Sequence, residues 1–194
     1  MEVTKKNDKF LWLGNWPALD FVNTQIVAGG ALVDLLSTGA DLANWMSRSG
    51  LLSGSQRPLS RSSAALTAAR RFRGELRLIL DELVQHGKFS PSLLAPLNAR
   101  LQQRNLGFSL HDQKGRYGLS PEWTLKAPAD VCAPIALSFA ELLSQADLAR
   151  IRRCKNPECI LFFYDASKSG TRSWCSLDIC GNKRRVAAFR ERHA

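Results

Sequence analysis

The sequence has no apolar run that approaches the roughly 18 residues needed to cross a bilayer. Its first residues, MEVTKKNDKFLWLG, also lack the continuous apolar stretch of a signal peptide. No Walker loop, dinucleotide fingerprint or nucleophile elbow occurs. The three histidines, His86, His111 and His193, lie far apart without a recognisable partner motif. From these absences we expect a cytoplasmic protein that is not an enzyme.

The overall composition is typical of a folded protein. Apolar residues make up 45% of the chain and charged residues 23%, which argues against wholesale disorder. A length of 194 residues allows one substantial core and a small appended module, since domains typically run about 100 to 150 residues. We therefore expect two units, at residues 1–149 and 150–194.

Positive charge is concentrated in the last quarter of the chain. The net charge is +10, and residues 150–194 hold eleven of the 27 lysines and arginines but only four of the 17 acidic residues. Four thiolates around one dication would lower the charge of this segment by two, and it would remain the basic end. Such clustered cations are typical of a surface that meets an anionic partner.

Hydrophobic periodicity predicts a mainly helical fold. The clearest helix covers residues 62–86, where apolar residues recur every three or four positions and Gly87 follows. Alternating apolar residues around Lys114 and Gly115 predict a small β-hairpin. Further predictions are helices at 15–27, between Gly39 and Gly50, after Pro91 and at 129–151, and an exposed loop at 53–65. The predicted fold class is α+β, mainly α, with a helical N-terminal domain.

Four of the five cysteines form two pairs near the end of the chain. The first pair is Cys154 and Cys159, and the second is Cys175 and Cys180. Two short turns of this kind can aim four sulfurs at one Zn²⁺ in a tetrahedron. Because four thiolates leave no position open for water or substrate, we expect one structural Zn²⁺ rather than a catalytic metal.

Two alternatives to zinc stay open on spacing alone. An iron–sulfur cluster also accepts four cysteines, and two disulfides would use the same residues. A reducing cytoplasm favours metal binding over disulfides. The fifth cysteine, Cys132, lies on a predicted helix, and we expect it to be a small buried apolar residue rather than a reactive thiol.

The residues after the last cysteine, GNKRRVAAFRERHA, predict a terminal helix. Asn182, Val186, Phe189 and His193 share one face of this helix, and we expect this seam to dock on the zinc module. Cations flank the seam on both sides and can neutralise phosphates, which releases counterions. The alternative is a solvated charged helix that only keeps the tail soluble.

The C-terminal segment resembles the CGNR zinc finger, a small bacterial module named for a four-residue motif. The resemblance rests on CKNPEC, FYDAS, TRSWC and CGNKRR. Lys183 takes the place of the arginine of the motif, which keeps the charge but removes the bidentate fork of a guanidinium. The resemblance implies a treble-clef-like or knuckle-type zinc module.

The N-terminal part resembles the ABATE-type domain that usually precedes this finger in stress-induced transcription regulators. ALDFVNT at residues 18–24 and ADLANWMSRSGLL at 40–52 carry the resemblance. It makes Asp20 and Asn23 the candidate contacts for a small ligand of this domain. The alternative is a cap-and-turn network that holds the first helix in place.

Together these features predict a DNA-binding transcription regulator. The finger contacts DNA, and the N-terminal domain senses a ligand or mediates formation of a homodimer, since one finger makes few phosphate contacts. The predicted DNA contacts are cations of the finger, namely Arg172, Lys183, Arg184, Arg185, Arg190 and Arg192. Three further cations, Arg150, Arg152 and Arg153, precede the first cysteine. They either extend the predicted DNA-binding patch or compensate the dipole at the C-terminus of the preceding helix. The alternative is a protein-interaction module whose finger docks an acidic partner without nucleic acid.

Overall fold

The computed structural model describes residues 8–52, 60–102, 106–112 and 115–193. The helices are α1 (Pro17–Val22), α2 (Gly39–Arg48), α3 (Ser63–His86), α4 (Ala95–Leu101), α5 (Cys132–Gln145) and α6 (Asn182–His193). The strands form separate antiparallel hairpins, which are β1 (Gln25–Ala28) with β2 (Ala31–Asp34), β3 (Leu106–Asp112) with β4 (Tyr117–Trp123), and β5 (Ile151–Arg153) with β6 (Phe162–Tyr164). The predicted fold class, mainly α with small hairpins, is confirmed.

The long helix α3 begins and ends where its sequence signals predict. The Ala65 N–H donates to the Ser62 hydroxyl at 3.1 Å, which caps the first turn. Gly87 adopts a left-handed φ of 70°, and its N–H donates to the Leu83 carbonyl. The buried face of α3 then supplies apolar side chains to the core at three- and four-residue intervals.

The main core lies where α1, α3 and α5 meet. Leu19 of α1, Phe72 of α3 and Phe139 of α5 are fully buried. Trp45 of α2 closes one side of this core, and its ring stacks on Trp12 with 6.1 Å between centroids. Removal of these large apolar side chains from water stabilises the N-terminal part of the chain.

The predicted first helix is shorter than the pattern indicated. It ends at Val22, and residues 25–34 form the β1–β2 hairpin instead. Gly29 and Gly30 both have positive φ, at 59° and 80°, which is the requirement of a two-residue type I′ turn. The β-branched Ile26 and Val27 favour the strand, so the local turn signal overrides the helical spacing.

The predicted helix at 129–151 is also interrupted. It consists of a 3-10 turn, Pro128–Val131, followed by α5, which ends at Gln145. Ile151 lies instead in strand β5 and is buried in the main core. Pairing with β6 and burial of Ile151 outweigh the helical periodicity of this stretch.

Two predictions fall partly outside the described residues. Of the loop predicted at 53–65, residues 53–59 are not among them, and from Ser63 onward the chain is helical. The predicted hairpin around Gly115 is confirmed by β3 and β4, while Lys114 lies outside the described part.

Candidate metal centre and the helix beside it

The two cysteine pairs lie in two backbone turns that face each other. Cys154 and Cys159 flank the turn between β5 and β6, where the Cys159 N–H donates to the Asn156 carbonyl at 2.9 Å. Cys175 lies two residues before a π-helical turn, Leu177–Gly181, and Cys180 lies within this turn, which leads directly into α6. This arrangement of two knuckles, one on a hairpin and one at a helix start, matches the predicted type of module.

The four sulfurs are spaced for a single tetrahedral ion. All four lie within 4.8 Å of one another, with 3.8 Å from Cys159 to Cys175 and 3.5 Å from Cys175 to Cys180. A tetrahedron with Zn–S near 2.3 Å has sulfur–sulfur edges of about 3.8 Å. These thiols are free, and a disulfide would hold its sulfurs at about 2.05 Å. The site therefore fits one structural Zn²⁺.

Two of the four sulfurs, those of Cys154 and Cys180, accept hydrogen bonds from neighbouring amide groups. The Cys175 N–H and the Asn156 amide each donate to a sulfur at 3.4 Å, of Cys154 and Cys180 respectively. Hydrogen bonds from the Cys159 and Cys175 thiols lower the pKa of Cys154, and the bond with Cys154 raises the pKa of Cys159 and of Cys175. A bound dication would let all four sulfurs ionise together.

A small apolar cluster covers the metal turns. Phe163 is fully buried there with Leu161, and Trp174 packs beside them. Leu11 and Leu13 from the segment before α1 complete the cluster. The module thus borrows apolar cover from the N-terminal part of the chain.

Arg172, a predicted DNA contact, makes its hydrogen bonds inside the finger. Its guanidinium lies 4.3 Å above the ring of Phe163 and donates to the backbone carbonyls of Trp174 and Cys175. It also reaches the Leu13 carbonyl at 3.4 Å. The side chain is half-buried and links the second knuckle to the segment before α1.

Sequence reasoning did not single out Asp165, which organises the loop before the second knuckle. Its fully buried carboxylate accepts from the Ser167 N–H and hydroxyl and from the Arg172 N–H. Although burial opposes ionisation, the bonds from Ser167 and Arg172 and the charge of Arg152 lower its pKa. Its position inside FYDAS is the signal that could have identified it.

The three arginines before the first cysteine serve the same loop and α3. Arg150 donates to the Asp165 and Ser167 carbonyls, and Arg152 donates to the Gly170 carbonyl at 2.7 Å. Arg153 approaches the carboxylate of Asp81 on α3 at 3.5 Å. These contacts give the three cations structural partners within the protein.

The remaining predicted DNA contacts all lie on α6. They are exposed, and they are Lys183, Arg184, Arg185, Arg190 and Arg192. Arg184 forms an ion pair with Glu191 at 3.6 Å. The prediction that the apolar seam of this helix docks on the finger is wrong, because Val186 is 49% exposed and Phe189 58%.

The two predicted ligand contacts in ALDFVNT bind protein groups. One carboxylate oxygen of Asp20 accepts from the Leu13 and Gly14 N–H groups at 2.9 and 2.7 Å. The buried amide of Asn23 donates to the Phe162 carbonyl at 2.7 Å and accepts from the Phe162 N–H at 2.9 Å. These bonds resemble the cap-and-turn alternative, and Asn23 also reaches the finger. Ligand binding at these residues stays a prediction.

Arginines of α3 extend this joint between the two parts. Arg77 donates to the Val22 carbonyl and to the Ile160 carbonyl, and it lies over the ring of Phe162. One turn earlier, the buried Arg73 bridges Thr24 and Asp34. The end of α1, strand β6 and helix α3 are therefore held by one polar network.

Comparison with known families follows this division of the chain. Residues 150–193 match the CGNR zinc finger, so the metal centre is that of a zinc-finger module. Residues 15–146 match ABATE, described as "Putative stress-induced transcription regulator". Because this match covers more than half of the chain, the protein belongs to the ABATE family. Comparison with curated proteins gave no match. Among the described helices, none is both long and apolar enough to cross a membrane.

Proposed function

We propose that this protein is a cytoplasmic, non-enzymatic transcription regulator that binds DNA through α6 and acts as a homodimer. The observation that carries the proposal is the exposed basic helix that begins at the second knuckle. The zinc site fixes the start of α6, because Cys180 lies two residues before Asn182, the first residue of the helix, whose side-chain amide donates to the Asp178 carbonyl at 3.2 Å. The metal would thereby set the direction in which the helix presents its cations.

We propose that the DNA contacts are the cations of α6 and not Arg172. Arg172 is engaged within the finger, whereas the cations of α6 point outward from an exposed helix. The twelve residues of α6 extend about 18 Å, and the diameter of an α-helix with its side chains, about 10 to 12 Å, suits the major groove of about 12 Å width. Arg185 and Arg192 flank one side of the Val186–Phe189 seam, and Lys183 and Arg190 flank the other.

Fluorescence anisotropy with duplex DNA at 50 and 200 mM salt tests the proposal. Replacing Arg185 and Arg192 by Ala should weaken binding to all sequences similarly and reduce the slope of log affinity against log salt by about two. The control double variant, R61A/R71A, removes two exposed arginines outside the finger and should leave the slope unchanged. Absence of binding at 50 mM salt, or equal slopes for the two variants, would rule out a phosphate contact by α6.

The exposed seam favours one second candidate, a finger that docks an acidic protein. Val186 and Phe189 between rows of cations suit an acidic amphipathic segment, because apolar and charged groups would both find partners. Replacing Phe189 by Ala would then abolish capture of one stoichiometric protein from nuclease-treated extract. Under the DNA proposal the same change should leave the salt slope intact.

The contacts of Asp20 and Asn23 argue against ligand sensing as the role of the N-terminal domain. One carboxylate oxygen of Asp20 and both polar atoms of the Asn23 amide already have partners within the protein. A ligand at this place would have to displace the Phe162 backbone from Asn23 and so loosen the finger. We therefore assign dimerisation to the N-terminal domain.

A further inference from the structure

The β3–β4 hairpin carries an exposed apolar face. Its register pairs Leu110 with Leu119 and Phe108 with Pro121, and alternate residues of each strand share a face. On this face Phe108, Leu110, Tyr117 and Leu119 are 63, 67, 79 and 66% exposed. A patch of this kind is typical of an interaction site, whereas single exposed apolar residues are ordinary.

The opposite face of the hairpin does not explain the pattern. It carries small or polar residues, namely Gly107, Ser109, His111, Gly118, Ser120 and Glu122. In an antiparallel hairpin the apolar face normally packs on a core. Here only its base does so, through the buried Trp123 and the half-buried Leu106. The outer part of the apolar face lacks a covering element among the described residues.

Charge restricts what can cover this face. Residues 106–123 contain two acidic residues, Asp112 and Glu122, and two basic ones, Lys114 and Arg116, in a chain whose net charge is +10. Apart from Asp112 at its tip, which accepts from the Gly115 N–H, this face is uncharged and offers no attraction to DNA or to a strongly acidic partner. Two copies of this basic chain can approach each other through such a face, because most of the lysines and arginines lie outside residues 106–123.

The patch is large enough to form much of a dimer interface. Its two aromatic side chains can bury about 150 to 250 Å² each, and the two leucines add to this. A stable interface buries about 800 Å² per partner. A groove of about 190 Å³ beside the base, lined by Pro121, Trp123 and Trp16, continues the apolar surface.

Pro121 favours packing of faces over pairing of strand edges. Proline is tolerated in a two-stranded sheet where its nitrogen faces the open edge, and it withholds there the donor that an added strand needs. Pro121 lies within β4 and so interrupts that edge. The apolar face remains available.

We propose that a second copy of this chain covers the hairpin, with the two β3–β4 faces packed together around a two-fold axis. The axis lies near the Leu110–Leu119 pair at the centre of the exposed stretch. A two-fold interface of this kind is self-complementary. The inference rests on the dimerisation included in the proposed function and assigns it a surface.

Sedimentation equilibrium of the zinc-loaded full chain without DNA tests this. The wild-type protein should show twice the 21.5 kDa of one chain at micromolar concentrations. Leu119→Glu should raise the dimer dissociation constant by about a hundredfold or more, since it buries a charge at the centre of the interface. Leu32→Glu is the matched control, because Leu32 is 62% exposed but lies on β2, and it should remain dimeric.

A second variant distinguishes loss of the interface from a folding defect caused by Leu119→Glu. Tyr117→Glu changes the most exposed residue of the face and should also give monomers with an unchanged circular dichroism spectrum. A wild-type monomer, or Leu119→Glu dimers as stable as those of Leu32→Glu, would overturn the inference. A dimer that fails to bind DNA contradicts only the α6 proposal. A dimer that Leu119→Glu leaves intact contradicts only the assignment of the interface to the hairpin, whereas a monomer that binds DNA contradicts dimerisation but not the α6 contact.

Discussion

At the scale of single residues, Asp20 shows how burial and hydrogen bonding compete. Burial raises its pKa from 3.8 to about 7, although the N–H groups of Gly14 and Leu13 donate to its carboxylate and lower it. Both N–H groups reach the same oxygen. The second oxygen can therefore carry a proton without loss of either bond.

Asp20→Asn should make the protein less sensitive to rising pH. Between pH 4 and 7 the unfolded chain releases this proton first, so the folded state binds more protons and loses stability as pH rises. Asparagine keeps the accepting oxygen and does not titrate. From pH 5.5 to 8 the variant should gain about 2 kcal/mol in free energy of unfolding relative to wild type, as measured by urea titration.

The comparison of the two proteins removes other pH effects. Metal binding also depends on pH, but it contributes equally to wild type and variant. A difference in free energy of unfolding that stays constant from pH 5.5 to 8 would contradict the raised pKa of Asp20.

Cys132 is a second residue whose burial determines its chemistry. It is 1% exposed, and burial raises the pKa of its thiol to about 11. The thiol therefore stays protonated at neutral pH and has little nucleophilic character. This agrees with its predicted role as a small buried apolar residue.

At the scale of elements, the contact between α1 and β6 joins the finger to the N-terminal part. The Asn23 side chain, which follows the last residue of α1, donates to the Phe162 carbonyl and accepts from the Phe162 N–H. The backbone of a neighbouring strand would make the same pair of hydrogen bonds. On the other side, Arg77 of α3 donates to the Ile160 carbonyl and lies over Phe162. The finger is thus held from two helices.

Asn23→Ala should lower the free energy of unfolding by about 2 to 4 kcal/mol, because it leaves a buried N–H and a buried carbonyl of Phe162 without partners. Chemical denaturation of the zinc-loaded protein measures this. Asn98→Ala removes the same group from an exposed position on α4 and should change stability by less than about 0.5 kcal/mol. Equal effects of the two substitutions would show that the joint contributes nothing.

At the scale of the whole molecule, the finger and the helical part share one core. Ile151 of β5 and Phe162 of β6 pack in the same cluster as Leu19 and Phe72. Leu11 and Leu13, in turn, cover the metal turns. Loss of the metal should therefore weaken packing beyond residues 150–193.

Chelation of zinc should lower the melting temperature of the whole chain in one transition. Loss of about 5 kcal/mol would correspond to about 10 to 20 °C for a protein of this size. Circular dichroism at 222 nm, which reports chiefly α3 and the other helices, measures it. Helices that melt at the same temperature with and without metal would contradict the shared core.

Metal stoichiometry provides the matched control. Cys175→Ala removes a buried ligand and should reduce bound zinc well below one per chain, with the same fall in melting temperature. Cys132→Ala removes a cysteine outside the site and should keep one zinc.

The sequence by itself determined the helices with strong caps and the metal ligands. Hydrogen bonds made by Ser62 and Gly87 define the two ends of α3, and both bonds are local in sequence. The four cysteines lie in two short turns, each of which places two sulfurs close together, so that one ion can join them. Residues 25–34 show the limit of periodicity, since the helical spacing of residues 15–27 continues into a stretch where Gly29 and Gly30 form a hairpin turn.

Only the tertiary structure decided which polar residues face inward. Arg172 and Arg150 look like ordinary surface residues in sequence, yet Arg172 donates to the carbonyl of Leu13 and Arg150 to that of Asp165, in segments that only the fold brings near. Asn23 and Phe162 are paired across 139 positions, a contact that no local pattern encodes. Hydrogen-bond satisfaction of buried groups depends on the assembled packing, and that packing exists only once the distant segments have met.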